Sequence, residues 1–207
     1  MNNEELVQSL VREGYIRSEK VREAFLRVPR EHFVPERYRD FAYVDEPLPI
    51  GEGQTISAPH MVAIMTEALE VENGMNILEI GTGSGYQAAI LSVLNPDGKI
   101  ITIERNPYLY KFAKKNLVPY KNVKIVLGDG TKGFPEEAPY DRILVTAGAP
   151  TVPEPLVKQL KKDGFMIIPV GDVYSQKLLK VFADGSYEDL RVPCVFVPLI
   201  GEHGWKE

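Results

Sequence analysis

The residues with chemical potential gather in NILEIGTGSGYQAAIL, residues 76–91. Gly81, Gly83 and Gly85 alternate after a short apolar run, with Glu79 two residues before the first of them. Glycine lets a backbone turn sharply and approach a ligand closely. A tight strand-to-helix turn without a ligand uses the same residues, so spacing must narrow the choice. A dinucleotide fingerprint needs Gly-x-Gly-x-x-Gly, yet the third glycine would then stand at 86, which is Tyr86. No Gly-Lys-Ser/Thr follows, so an ATP-type phosphate loop is not expected. Two further acids close apolar runs. Glu104 ends ITIE, roughly 20 residues beyond the loop, where a carboxylate accepting ribose hydroxyls is expected. Asp129 lies in LGDG, where it could accept an exocyclic amine, with Gly130 leaving space for a ring.

Behind these residues the chain alternates strand and helix patterns. NILEI, KIITIE, VKIVLGD, YDRILVTAG and FMIIPVG read as buried strands; GYQAAILSVL, PYLYKFAKKNLV and EPLVKQLKKDG read as helices, the last ended by Gly164. Such alternation predicts a parallel, doubly wound sheet, and KLLKVFADGSYEDLRVPCVFVPLI, with its Asp-Gly turn, predicts an antiparallel addition. The first forty residues read as helices, with Ser18 capping the run Val21, Phe25, Val28. Residues 41–58, rich in Gly and Pro, predict a long irregular loop, and PHMVAIMTEALEV returns to helix with proline in its first turn. One domain over 1–207 is expected: a helical section and active-site loop over 1–58, and an α/β core over 59–207.

Composition excludes several classes. Hydrophobic residues at 44% and charged residues at 26% describe a globular protein, and no apolar run approaches the length of a bilayer span. The N-terminus lacks a signal-peptide pattern, and the single cysteine, Cys194, cannot form an internal disulfide, so a reducing, cytoplasmic location is expected. The net charge of −5 disfavours nucleic acid, and Lys114-Lys115 and Lys161-Lys162 read as solvated cations late in helices. His32, His60 and His203 are scattered and form neither a triad nor a metal pattern.

The Gly-x-Gly-x-Gly loop with its preceding acid resembles the S-adenosylmethionine loop of Rossmann-like methyltransferases. A ligand with an ammonium and a sulfonium favours acidic neighbours such as Glu79. The place where base-modifying relatives carry Asn/Asp-Pro-Pro-aromatic reads VTAGAPTVP, and the only cysteine follows Pro193 in a late apolar run, so base chemistry is disfavoured. GQTISAPHMVA, together with REHFVP, LEIGTGSGYQAA, GDGTKGFPEEAPYDRILVTAGAP, QLKKDGFMIIPVG and FVPLIGEHGW, resembles the protein-L-isoaspartate O-methyltransferases over almost the whole chain. The resemblance implies methyl transfer from S-adenosylmethionine to the α-carboxylate of isoaspartyl residues in damaged proteins and peptides. It implies Ser57 as the active-site serine, and cofactor contacts at Thr55, Ile56, Ile80, Gly81, Thr82, Gly83, Ser84, Glu104, Asp129 and Gly130. Val62 stands where some relatives have histidine and Ile200 where some have threonine.

An α-carboxylate, with an ordinary pKa of about 3.5, needs no general base, which suits the absence of a His/Asp or Cys/His arrangement. Ser57 also reads as a helix N-cap bonded to the His60 amide, and the helix start beyond it would offer free amides to a carboxylate. A monomer without metal, membrane or nucleic-acid partner is expected. An RNA methyltransferase and a non-enzymatic binding domain on the same fold are the alternatives, which a basic groove or a loss of Glu104 and the glycines would favour.

Overall fold

The computed structural model describes all 207 residues. Helices α1 (Asn3–Arg12) and α2 (Glu19–Arg27) open the chain. Asn2 and Glu5 form a capping box on α1, and Ser18 caps α2 as its position predicted. Two 3₁₀ turns lead to a hairpin, β1 (Leu48–Gly51) and β2 (Gln54–Ile56), before α3 (Pro59–Leu69). Residues 41–58 are thus not wholly irregular. Glu52 and Gly53 both adopt positive φ, 54° and 68°, which suits the turn of a tight hairpin.

The core follows as β3 (Asn76–Ile80), α4 (Tyr86–Leu94), β4 (Lys99–Glu104), α5 (Pro107–Asn116), β5 (Val123–Leu127), β6 (Tyr140–Val145), α6 (Glu154–Lys158), β7 (Leu160–Gly171), β8 (Gln176–Phe182) and β9 (Tyr187–Cys194). The seven strands from β3 to β9 form one sheet in the order β5-β4-β3-β6-β7-β8-β9, parallel from β5 to β7 and antiparallel beyond. The expected helix running to Gly164 is corrected. α6 stops at Lys158 and β7 starts at Leu160, so Lys161 lies on a strand and bonds Asp141 at 2.9 Å. Lys114 and Lys115 do close α5.

Period-two burial splits the sheet between two apolar clusters. Ile77, Ile100, Leu144 and Ile167 join the cluster that includes residues of α1 to α5, while Leu78, Ile101, Ile143 and Met166 join the opposite one with Leu156 of α6. The N-terminal helices share the first cluster with the sheet, α2 packing against α4. Cys194 is buried, as packing predicted. The chain runs from β3 outward to β5 and then returns to β6 on the other side of β3. That reversal opens a crevice at the carboxyl ends of β3 and β6, the position where doubly wound sheets hold ligands.

Candidate active site

A cavity of about 160 Å³ lies at that crevice. Its lining draws on Thr55, Ile56 and Ser57 before α3, Ile80 to Ser84 after β3, Glu104 and Gly130 at or beyond strand ends, and Val197 to Ile200 near the C-terminus. Residues separated by more than a hundred positions therefore meet in one enclosure. Val62 and Ile200, the two departures from the family pattern, both line it.

The glycine loop is held by its own backbone. Gly81 and Thr82 donate their amides to the Ile103 carbonyl at 2.9 and 3.2 Å, and Gly83 donates to Glu104 Oε2 at 2.9 Å. At Gly81, φ is 94° and a Cβ would lie 2.6 Å from Thr146 Oγ1, so only glycine fits. At Gly85, the N-cap of α4 with φ 88°, a Cβ would lie 2.8 Å from Leu117. With the Gly81, Thr82 and Gly83 amides spent internally, this loop is a poor cradle for a phosphate, which needs free N–H groups.

Glu104 is the anchor. Its Oε1 accepts the Asn106 amide at 2.9 Å and its Oε2 the Gly83 amide, and the side chain is only 6% exposed. Each carboxylate oxygen has a second lone pair, so one acceptor site per oxygen remains for a pair of hydroxyls. The charged groups around the cavity are Glu52, Glu104 and Arg105, and Arg105 is already paired with Glu207. This balance favours a cationic ligand over a polyphosphate. Glu52 Oε2 accepts from Asn106 Nδ2 at 3.2 Å, joining the hairpin tip to the start of α5.

Two of the expected ligand acids, Glu79 and Asp129, are not among the residues that line the cavity. Glu79 is fully buried and does not line the cavity; strand alternation sets it on the other face of β3 from Ile80, opposite Thr102 of β4. Its Oε1 accepts the Thr102 hydroxyl at 2.5 Å, Thr102 lies 2.7 Å from the Thr82 hydroxyl, and Oε2 has no partner. Burial pushes its pKa up to about 8, the Thr102 hydrogen bond opposing and the Glu104 charge adding to the rise. Thr82, which lines the cavity, links Glu79 to the site by hydrogen bonds through Thr102. Asp129 is also absent from the lining. Its Oδ1 accepts the Thr131 amide and hydroxyl at 2.9 and 2.7 Å, and its Oδ2 accepts the Glu202 amide at 2.8 Å. Burial alone would raise its pKa, but these hydrogen bonds and Lys132 hold it below the ordinary range. Asp129 thus pins the C-terminal segment, and its neighbour Gly130 lines the cavity.

The start of α3 is also corrected. Its N-cap is Ala58, with no side-chain cap. The His60 amide donates to Asp45 Oδ1 at 2.8 Å, not to Ser57, and the Met61 and Val62 amides go to the Ala58 carbonyl. Pro59 has no amide, so among the amides at this helix start only that of the N-cap Ala58 is without a protein partner. The Ser57 hydroxyl, half-buried at the cavity wall, is engaged by no protein group. Asn106 escaped the sequence reading; its Asn-Pro signal marks the cap of α5, where its Oδ1 accepts the Tyr108 and Leu109 amides.

The sheet order, the glycine loop after β3 and the acid closing β4 define a Rossmann-like methyltransferase. The family model described as "Protein-L-isoaspartate(D-aspartate) O-methyltransferase (PCMT)" matches residues 1–204. A protein-L-isoaspartate O-methyltransferase of Staphylothermus marinus is 56% identical, the match covering 98% of this chain and 95% of the relative. One of Thermococcus onnurineus is 60% identical over 97% and 94% of the two chains. A crystal structure from Plasmodium falciparum, described as a "putative protein-L-isoaspartate O-methyltransferase" in complex with S-adenosyl-L-homocysteine, is 30% identical, with a TM-score of 0.87 over 97% of this chain and 99% of that one. The chain belongs to the protein-L-isoaspartate(D-aspartate) O-methyltransferase family.

Proposed function

We propose that this chain methylates the free α-carboxylate of L-isoaspartyl residues in damaged proteins and peptides, with S-adenosylmethionine as the methyl donor, and so initiates their repair. The observation that carries this reading is the pairing, in one cavity, of Glu104, an anchored acid with acceptor capacity to spare, and Ser57, an unengaged hydroxyl. The cofactor supplies an electrophilic methyl group on a sulfonium. Glu104 would hold the ribose hydroxyls, the Ile80–Ser84 loop and Gly130 the remainder, and Thr55 and Ile56 the near wall. Ser57 donates its hydroxyl to the substrate carboxylate and orients it. Ile56, Val62, Met65, Leu109 and Leu199 supply apolar walls that keep water from competing for the methyl group.

No residue has to move a proton, since an α-carboxylate is ionised across neutral pH. The chain's task is positioning, which can supply roughly 7–11 kcal/mol of the barrier. The ester product then repairs without further help. The following backbone amide nitrogen attacks the ester carbonyl, methanol leaves, and the succinimide opens with water to aspartyl or isoaspartyl peptide. The acidic balance of the chain supports action without nucleic acid, and we expect a cytoplasmic monomer. No helix is long and apolar enough to cross a membrane.

The test is incubation with methyl-labelled S-adenosylmethionine and a matched pair of isoaspartyl and aspartyl peptides. Label is expected on the isoaspartyl peptide alone. Equal labelling of both would reduce the reading to a general carboxyl methyltransferase, and label on RNA would replace it.

A further inference from the structure

The segment that joins the N-terminal helices to β1 is tied down at two adjacent residues. Asp45 Oδ1 accepts the His60 amide at 2.8 Å and lies 3.0 Å from His60 Nδ1. Arg30, fully buried, donates from Nη2 to the Glu46 carbonyl at 3.2 Å. Its guanidinium lies 5.3 Å from the centre of the Tyr86 ring, and Tyr86 lines the cavity. The N-cap residue of α3, Ala58, has no side-chain acceptor, and Asp45 is the partner that the His60 amide has in the protein. The cap therefore comes from 15 residues upstream. The Asp45 charge at this end complements the helix dipole, and it also faces the Arg30 cation.

Ser57 sits between the elements that these contacts hold. It follows β2, whose pairing with β1 sets one side, and it precedes α3, whose start Asp45 sets on the other. No protein group engages its own hydroxyl, so its place depends on those two elements. We propose that Asp45 is a positioning residue for methyl transfer: by capping α3 from the preceding loop, it locks the hairpin and helix together and fixes Ser57 against the glycine loop. Arg30, through Glu46, anchors the same segment from the core side. Asp45 does not line the cavity. It acts through Ser57 and not on the substrate. The inference rests on the proposed role of Ser57, and the wild-type protein run in parallel separates the two: an inactive wild type sinks that role, while an active one makes the variants informative.

The experiment compares wild type, Asp45→Ala and Asp45→Asn at a temperature well below their melting transitions. It measures kcat/KM for an isoaspartyl peptide and, by calorimetry, the affinity for S-adenosylhomocysteine. Removing the cap is expected to lower kcat/KM about ten- to a hundredfold, the scale of an ångström-sized misplacement. Cofactor-product affinity is expected to stay within about threefold, because Glu104 and the glycine loop keep their own hydrogen bonds. Asn caps as well as Asp, so Asp45→Asn is expected to recover most of the loss. A lowered melting temperature with unchanged kcat/KM would overturn the proposal and leave a purely structural cap. A raised kcat/KM would overturn it too, since Asp45 would then be competing with the substrate carboxylate. A parallel fall in S-adenosylhomocysteine affinity would overturn it as a general collapse of the cavity. Should Asp45→Ala fail to fold, Asp45→Ser, whose shorter side chain falls short of the His60 amide, is read by the same outcomes.

Discussion

Ser57→Ala separates function from stability. The hydroxyl lines the cavity, bonds to nothing in the protein and does not cap α3, whose His60 amide belongs to Asp45. Truncation leaves no buried group unpaired and removes no cap, so stability should change by less than about 0.5 kcal/mol. Had Ser57 been the cap, the loss would be about 1 kcal/mol. A hydrogen bond from a hydroxyl to a charged carboxylate contributes roughly 1.5–3 kcal/mol, which corresponds to roughly a 10- to 150-fold loss of kcat/KM. Charge leaves the carboxylate as its oxygen is methylated, so the bond weakens along the reaction and the hydroxyl acts mainly by orienting. For that reason kcat/KM, rather than kcat alone, is the reporting quantity. The assay pairs initial rates on an isoaspartyl peptide with a thermal melt of the same preparation. Unchanged kcat/KM with an unchanged melt would remove Ser57 from the site, and a lowered melt would show that the hydroxyl is structurally engaged after all.

Glu104→Ala removes the acceptor for two backbone amides as well as the proposed ribose anchor. It is expected to lower both the melting temperature and the calorimetric affinity for S-adenosylhomocysteine, the latter by roughly 1–3 kcal/mol; unchanged affinity would place the ribose elsewhere. Asp129→Ala frees the Glu202 amide and the C-terminal segment, so its melt should fall while affinity for S-adenosylhomocysteine stays near wild type. A selective loss of affinity would assign Asp129 to the cofactor rather than to the C-terminal segment. Glu79 has a folded pKa of about 8, above the ordinary glutamate value, so the folded state keeps a proton that the unfolded chain releases. Its stabilising share is complete below about pH 4.3 and is lost as pH rises through 8. Across that upper range the melt of wild type is expected to fall more steeply than that of Glu79→Gln, and parallel slopes would mean that Glu79 is ionised in the fold.

The doubly wound core was legible because five apolar runs alternate with helical spacing, and the place of Glu104 at the cavity because it closes the second of those runs. The hairpin before α3 was not, since LPIGEGQTI dilutes its alternation with Gly and Pro and turns at Glu52, a residue with no turn signature. The start of β7 was hidden because LKKDG is polar and continues the helical pattern of EPLVKQ. Glu79 was placed by its distance along the chain, while its side chain is governed by strand parity, which sets it on the other face of β3 from Ile80. Asp129 carried a local signal that went unused: Asp followed by Gly-Thr caps its own turn. Asp45 had none, since a cap supplied from a preceding loop leaves no spacing pattern to read.

The proposed chemistry makes a carboxyl methyl ester beside a backbone amide, and such an ester is labile where an N- or C-methyl group is not. The most direct measurement is therefore the fate of the label. After transfer from methyl-labelled S-adenosylmethionine to an isoaspartyl peptide, mild alkali should release the label as volatile methanol and leave an unlabelled succinimide or its hydrolysis products, while the aspartyl control releases none. Label that stays on the peptide through alkali, or equal methanol from the aspartyl control, would contradict isoaspartyl α-carboxylate methylation.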